Sequence, residues 1–261
     1  LGSVAAAIAR LGPALAVSLP AADHPLVGAP LPMARAAAPA PIDLAADPLV
    51  GMTLPGAVRV DAQIARGSFG TVYRAYQLDC ARTVAVKVLD AGLGGSAAQR
   101  ARQEIAQLAA IEHPNVVRVF TTGDTPAGQP FFVMEHLDGL DLQRLIERDG
   151  PIPPARAVRL ACQLLAGLAR AHSRHIVHAD IKPANAIVVH AGSDDERLVL
   201  IDFGLAQRRA PAQGAIVGGG TPAFMAPEQL LGGELDERTD LYAAALVLLA
   251  MVTGWRGAHP G

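Results

Sequence analysis

The sequence predicts an α+β fold, with a small antiparallel sheet and one helix first and a mostly helical body after them. Three observations carry this. Short strand-like runs crowd the stretch from Val58 to Glu135. Strong helical periodicity takes over from Ala155, and a second, strongly apolar helical run spans Leu241 to Val252. The 261 residues suffice for one large domain or two small lobes with a sizeable core.

Residues 1 to 48 are rich in Ala and Pro and poor in charge and aromatics, the composition of a disordered tail. The apolar stretch Leu1 to Pro20 lacks a basic start and is interrupted by Arg10, so it reads as tail rather than export signal. The chain does not begin with methionine, and Met33 and Met52 are alternative starts. Order is expected from about Leu54. Val58 to Ile64 alternates as a strand does, a glycine-bearing turn follows, and a second strand ends near Gln77. Val84-Ala85-Val86-Lys87-Val88 is a third strand, and a lysine in such a run ordinarily marks an edge. Ser96 is a fair N-cap for a helix over Ala97 to Ile111, with Ile105, Leu108 and Ile111 inward.

Strands are then expected over Val116 to Thr121 and Pro130 to Glu135, and Asp141 is placed to cap a helix over Leu142 to Arg148. Pro151, Pro153 and Pro154 break the chain before the helix Ala155 to His175, whose apolar stripe is read as Val158, Cys162, Leu165, Leu168 and His172. Ile187-Val188 and Leu198 to Ile201 form a hairpin around the polar turn Gly192 to Glu196. Residues 205 to 220 read as a flexible loop. The run Leu241 to Val252 is too short to span a membrane and reads as a buried helix.

A net charge of −2 gives no reason to expect nucleic acid or an anionic membrane as partner. Cys80 and Cys162 read as two buried thiols in a reducing compartment. His172, His175 and His178 do not make a metal site, because they straddle a helix end and a turn and no Cys or carboxylate completes the set. The chemistry concentrates in His178-Ala179-Asp180-Ile181-Lys182-Pro183-Ala184-Asn185 and in Asp202-Phe203-Gly204. Two carboxylates, a cation and an amide in this order suit a magnesium-nucleotide held beside a hydroxyl. Asp180 would accept the proton, Lys182 would steady phosphoryl charge, and Asn185 and Asp202 would offer hard oxygens to Mg²⁺.

These two motifs resemble the catalytic loop and metal-binding motif of the eukaryotic-type, or Hanks-type, serine/threonine protein kinases, in a bacterial-like form. The resemblance runs in unbroken motif order over about residues 54 to 261. It implies a bilobal fold with an N-lobe over about 54–135, a hinge at about 135–140 and a C-lobe from 141 that lacks its last helices. It implies ATP and Mg²⁺ as cofactors, a protein Ser/Thr hydroxyl as acceptor and a cytoplasmic setting. By the same resemblance Lys87 pairs with the α- and β-phosphates and with Glu104, and Ile64, Ala65, Gly67, Ser68, Phe69, Gly70 and Val72 form the lid over the nucleotide. Ala85, Met134, Glu135, Leu137 and Ile187 would surround the adenine, Asp141 would reach the ribose, and His178 would pack beside Phe203. Thr221 to Glu228 resembles the end of the activation segment, with Thr221 in substrate docking.

Two departures stand out: Ala65 replaces the first glycine of the lid motif, and Ala179 replaces the arginine common before the catalytic Asp. No Ser, Thr or Tyr occurs between Gly204 and Thr221. The resemblance therefore implies a kinase that does not depend on activation-loop phosphorylation. Two alternatives are a pseudokinase, binding nucleotide or a partner without turnover, and a small-molecule kinase of related fold. The complete set Lys87, Glu104, Asp180, Asn185 and Asp202 argues against the first, and the Thr221 to Glu228 segment against the second.

Overall fold

The run Arg82–Leu89 carries three valines, and in the computed structural model it lies inside a six-stranded antiparallel sheet. The structure describes residues 47–67, 70–90, 95–203 and 222–255. The strands are β1 (Thr53–Leu54), β2 (Val58–Gly67), β3 (Gly70–Gln77), β4 (Arg82–Leu89), β5 (Val119–Asp124) and β6 (Pro130–Glu135). Their order is β1-β2-β3-β4-β6-β5, so β4 is central and Lys87 is not an edge residue.

Register divides the sheet into two faces, because directly paired residues point to the same side. Val72 pairs with Lys87 and Ala85 with Met134, which puts these four on one face. Tyr73 pairs with Val86 and Val88 with Phe131, on the other. The second face belongs to a core of its own with Leu54, Val58, Val84 and Val133. The first joins the main core, shared with the helices below.

Gly70 shows what the sheet itself demands of the glycine-rich turn. Its φ is +152°, and a Cβ there would stand 2.1 Å from the Val88 carbonyl oxygen. Backbone cannot yield that much, so Gly70→Ala is expected to destabilise the fold by at least about 2 kcal/mol, read as a lowered melting temperature. Gly67 has no such need: its nearest atom to an added Cβ is 3.8 Å away.

Helix α1 spans Gly95–Ala109. It begins before Ser96, which is therefore inside the helix rather than its cap. Strand β5 begins at Val119 rather than Val116. Val116 and Val117 are instead drawn to the lower half, where Val117 N donates to Leu200 O and Leu200 N to Asn115 O, both at 2.9 Å. Helix α2 (Leu142–Asp149) is capped by Asp141, whose Oδ1 accepts from Arg144 N at 2.8 Å.

Helix α3 spans Pro154–His172 and buries Ala157, Leu160, Leu164, Gly167, Leu168 and Ala171. The predicted stripe shares Leu168 with this face but is otherwise turned from it: Val158 is 45% exposed and Cys162 lies on the outer side. The inward face mixes three leucines with Ala157, Gly167 and Ala171, and at Gly167 the missing side chain admits Asn115, whose backbone oxygen would lie 2.7 Å from an added Cβ. Cys80 is exposed as well, so neither cysteine is the buried thiol expected.

Strands β7 (Gly139–Asp141), β8 (Ala186–Val189) and β9 (Arg197–Leu200) form a second, three-stranded sheet. Helices α4 (Pro227–Leu231) and α5 (Glu237–Thr253) complete the body, and α3 packs against both β9 and α5. Among the described residues no helix is long and apolar enough to cross a membrane.

Candidate active site

The site forms where the first face of the six-stranded sheet meets the mouth of the β8–β9 hairpin. Ile201 N donates to Asn185 O at 3.0 Å, which closes the hairpin one step beyond β8 and β9. Asn185 and Asp202 therefore leave it side by side. From the sheet above, Lys87 reaches down with its side chain 7% exposed, and its Nζ lies 2.6 Å from Asp202 Oδ1. A buried ammonium requires such a partner, since an unpaired charge away from water is costly.

Asp180 is held from two sides. Lys182 Nζ donates to its Oδ2 at 2.8 Å, and Asn185 Nδ2 donates to its backbone oxygen at 2.8 Å and to Oδ2 at 2.9 Å. Asn185 thereby spends its N–H groups on Asp180, leaving its carbonyl oxygen as the atom to offer a cation.

Two backbone positions here are left-handed without being glycine: Ala179 at φ 60° and Asp202 at φ 56°. Such residues cost about 1–3 kcal/mol each and persist only where the surroundings fix them. Asp240, fully buried in the first turn of α5, does this at Ala179. Its Oδ1 accepts from Ala179 N and its Oδ2 from His178 N, both at 2.8 Å. His172 Nε2 also lies 2.7 Å from Oδ2. The Ala179 carbonyl is taken by Gln229 Nε2 at 2.8 Å. Glu228 accepts from Thr239 Oγ1 at 2.7 Å, which fastens α4 to α5.

His178 joins the catalytic loop to the strand before Asp202. Its Nδ1 lies 3.3 Å from Asp180 N, its Nε2 lies 3.0 Å from Ile201 O, and its ring stacks on Phe203 at 4.4 Å. One nitrogen faces an N–H and the other a carbonyl, the pattern of a neutral imidazole protonated at Nε2. Burial pushes its pKa below the ordinary 6.5, against the pull of Asp240, Asp180 and Asp202. An unfolded chain takes up a proton below about pH 6.5 that the folded one refuses, so stability falls as pH drops through that value. Denaturant titrations at pH 8 and pH 5.5 are expected to show that loss, and His178→Phe is expected to reduce it.

The remaining candidates divide. Val72, Ala85 and Met134 line the sheet face around Lys87, with Leu137 packed on the same core. Asp141 and Ile187 are register partners across β7 and β8. Asp141 also meets Arg144 Nε at 3.3 Å, so its carboxylate has structural duties beside any ribose contact. Ile64 is 47% exposed and Ala65 pairs with Val72 where β2 is bulged. Glu135 is half-buried, within 3.9 Å of Arg197. Glu104 stands on α1 but its side chain lies outside the described residues, as do Ser68, Phe69 and Thr221 and the loop 205–220.

Sequence reasoning passed over Asp240 and Gln229, which hold the backbone of His178 and Ala179. For Asp240 a signal existed, an acid directly before the apolar run of a helix, and its place among the charged residues of the first turn hid it.

Residues 58–257 match the model of the protein kinase domain family. The chain is 35% identical over 218 residues to serine/threonine-protein kinase pkn3 of Myxococcus xanthus, covering 80% of this chain and 40% of that protein. It is 36% identical over 214 residues to serine/threonine-protein kinase PknL of Mycobacterium tuberculosis, covering 80% of this chain and 52% of the relative. The chain thus spans about half or less of these relatives. The fold is similar to the crystal structure of the Mycobacterium tuberculosis PknI kinase domain, with a TM-score of 0.64, 25% identity and 81% of this chain covering 79% of that one. With the family model matched from the first long strand to beyond α5, the chain belongs to the protein kinase domain family, in its bacterial Hanks-type branch.

Proposed function

We propose that the chain is a serine/threonine protein kinase domain, transferring the γ-phosphoryl group of ATP to a protein hydroxyl in the cytoplasm, where ATP is at hand. The observation that supports this most is the convergence of Lys87 on Asp202 at 2.6 Å, beside an Asp180 gripped by Lys182 and Asn185. The residues fit a magnesium-nucleotide. Asp202 and Asn185 supply hard oxygens at one hairpin mouth, and Gly67 is a glycine that neither φ nor packing requires, which leaves close approach to a phosphate as its use.

When bound, Mg²⁺-ATP supplies the transferable phosphoryl group and the counter-charge beside it. In this chain Lys87 would orient phosphate oxygens, Asp202 and Asn185 would hold the metal, and the Asp180 carboxylate takes the proton of the acceptor hydroxyl. Lys182 and Asn185 keep that carboxylate aimed, and Lys182 steadies charge on the phosphoryl oxygens in flight. Glu104 would be the second partner of Lys87, and Thr221 would help seat the protein substrate.

The activity is proposed to be independent of activation-loop phosphorylation. Ala179 offers a methyl group where a phosphate receptor would need a cation, and the stretch 205–220 has no hydroxyl to modify. The test is labelled ATP with Mg²⁺ and a generic protein acceptor, followed by phosphoamino-acid analysis. Label on Ser or Thr that survives phosphatase pretreatment of the kinase is expected. Nucleotide binding without transfer would mark a pseudokinase, and a phosphate within 205–221 whose removal sharply lowers activity would refute the independence.

A further inference from the structure

We propose that Gln163 is a positioning residue for the metal end of the site, acting through strand β9 rather than by contact with nucleotide. This rests on the kinase reading of Asp202. One edge of β9 is paired with β8, and its other edge faces α3 and the loop after α1. On that outer edge Leu200 is bonded as a parallel neighbour would bond it, donating to Asn115 O and accepting from Val117 N, both at 2.9 Å. Two residues earlier, at Leu198, the Gln163 amide stands in the place of a backbone partner. Its Oε1 accepts from Leu198 N at 2.7 Å and its Nε2 donates to Glu196 O at 3.0 Å. Asn115 Nδ2 closes the gap between the two, donating to Leu198 O at 2.7 Å and to Gln163 Oε1 at 3.1 Å.

An amide is the side chain suited to this task, since it presents one acceptor and one donor with the geometry of a peptide group. The outer edge of β9 is thus closed from Glu196 to Leu200, and only Ile201 separates it from Asp202. One turn along α3, Gly167 removes the obstacle to this approach: a Cβ there would lie 2.7 Å from Asn115 O. Without the Gln163 amide, Leu198 N–H and Glu196 C=O lose their partners at a packed helix–strand contact, and the strand is free to fray toward the metal ligand.

The experiment compares Gln163→Leu and Gln163→Glu with wild type, and uses Arg156→Gln as a stability control. Arg156 grips the Glu196 carboxylate at 2.6 Å at the same end of β9 but leaves the strand edge untouched. Three quantities are read: melting temperature, amide hydrogen exchange at Leu198 and Leu200, and the Mg²⁺ concentration giving half-maximal binding of a fluorescent ATP analogue. For Gln163→Leu, exchange is expected to quicken and the Mg²⁺ requirement to rise about tenfold, as for outer partners that orient a ligand, with metal-free nucleotide binding unchanged. Gln163→Glu keeps an acceptor for Leu198 N and should fall between, which carries the test if the leucine variant does not fold. Arg156→Gln should lower the melting temperature without moving the Mg²⁺ requirement. An unchanged Mg²⁺ requirement in both Gln163 variants, or an equal rise in Arg156→Gln, overturns the proposal. Wild-type protein that bound the analogue with no response to Mg²⁺ would instead overturn the kinase reading, while exchange at Leu198 would still report on Gln163.

Discussion

Asp202→Ala is expected to lower phosphoryl transfer by a factor on the order of 10³ or more, since one carboxylate serves two purposes. It would offer the metal a hard oxygen, and it faces Lys87 Nζ at 2.6 Å. Alanine removes both, leaving an almost buried ammonium without the counter-charge that stood 2.6 Å away. Asp202 is itself partly exposed, so the cost to stability is expected to be much smaller than that to turnover. Initial rates at saturating Mg²⁺-ATP, with melting curves on the same samples, check both parts. Lys87→Met should be comparably inactive, because it takes away the other member of the pair.

Asp240→Asn is expected to cost the fold about 3 kcal/mol, within the range for breaking a fully buried charge-assisted network. The shape of the side chain is kept, so the loss is purely one of hydrogen-bond logic. Two backbone N–H groups, of His178 and Ala179, point at the two carboxylate oxygens, and His172 shares one of them. An asparagine has one oxygen, so at least one N–H would face an NH₂ group. Ala179 sits at φ 60° and relies on that bond to stay there. The catalytic loop should therefore loosen, with turnover falling alongside stability while the Lys87–Asp202 pair above is spared. Denaturant midpoints and turnover number together measure this. Unchanged values of both would show that the buried carboxylate holds nothing.

Much of this was legible in the residues themselves. The β8–β9 hairpin, the strand Pro130–Glu135 and the Asp141 cap follow from local pattern, because each is fixed by residues close in sequence. The grouping of Asp180, Lys182 and Asn185 is equally local, all within one turn of chain. What pattern could not reach depends on distant partners. Val116 and Val117 look like the start of a strand in the sheet, yet Leu200 claims them from 83 or more residues away in sequence. Lys87 looks like an edge residue until strand order makes β4 central. The face of α3 was read only in part, correctly at Leu168 but not at Gly167, which carries no apolar signal and is where Asn115 comes close. The exposure of Cys80 and Cys162 follows from the turn and helix face they occupy, neither of which residue type reveals.

The account turns on Asp180 as the group that takes the hydroxyl proton, and Asp180→Asn isolates that role. Asparagine keeps the size and an acceptor toward Lys182 while removing the base, and it leaves Asn185, Asp202 and Lys87 in place. Single-turnover transfer from labelled ATP to a protein acceptor, with nucleotide affinity measured on the same preparation, is the decisive measurement. Affinity within about threefold of wild type together with transfer lowered at least about 10²-fold is the predicted result. Transfer at the wild-type rate by Asp180→Asn would contradict the account.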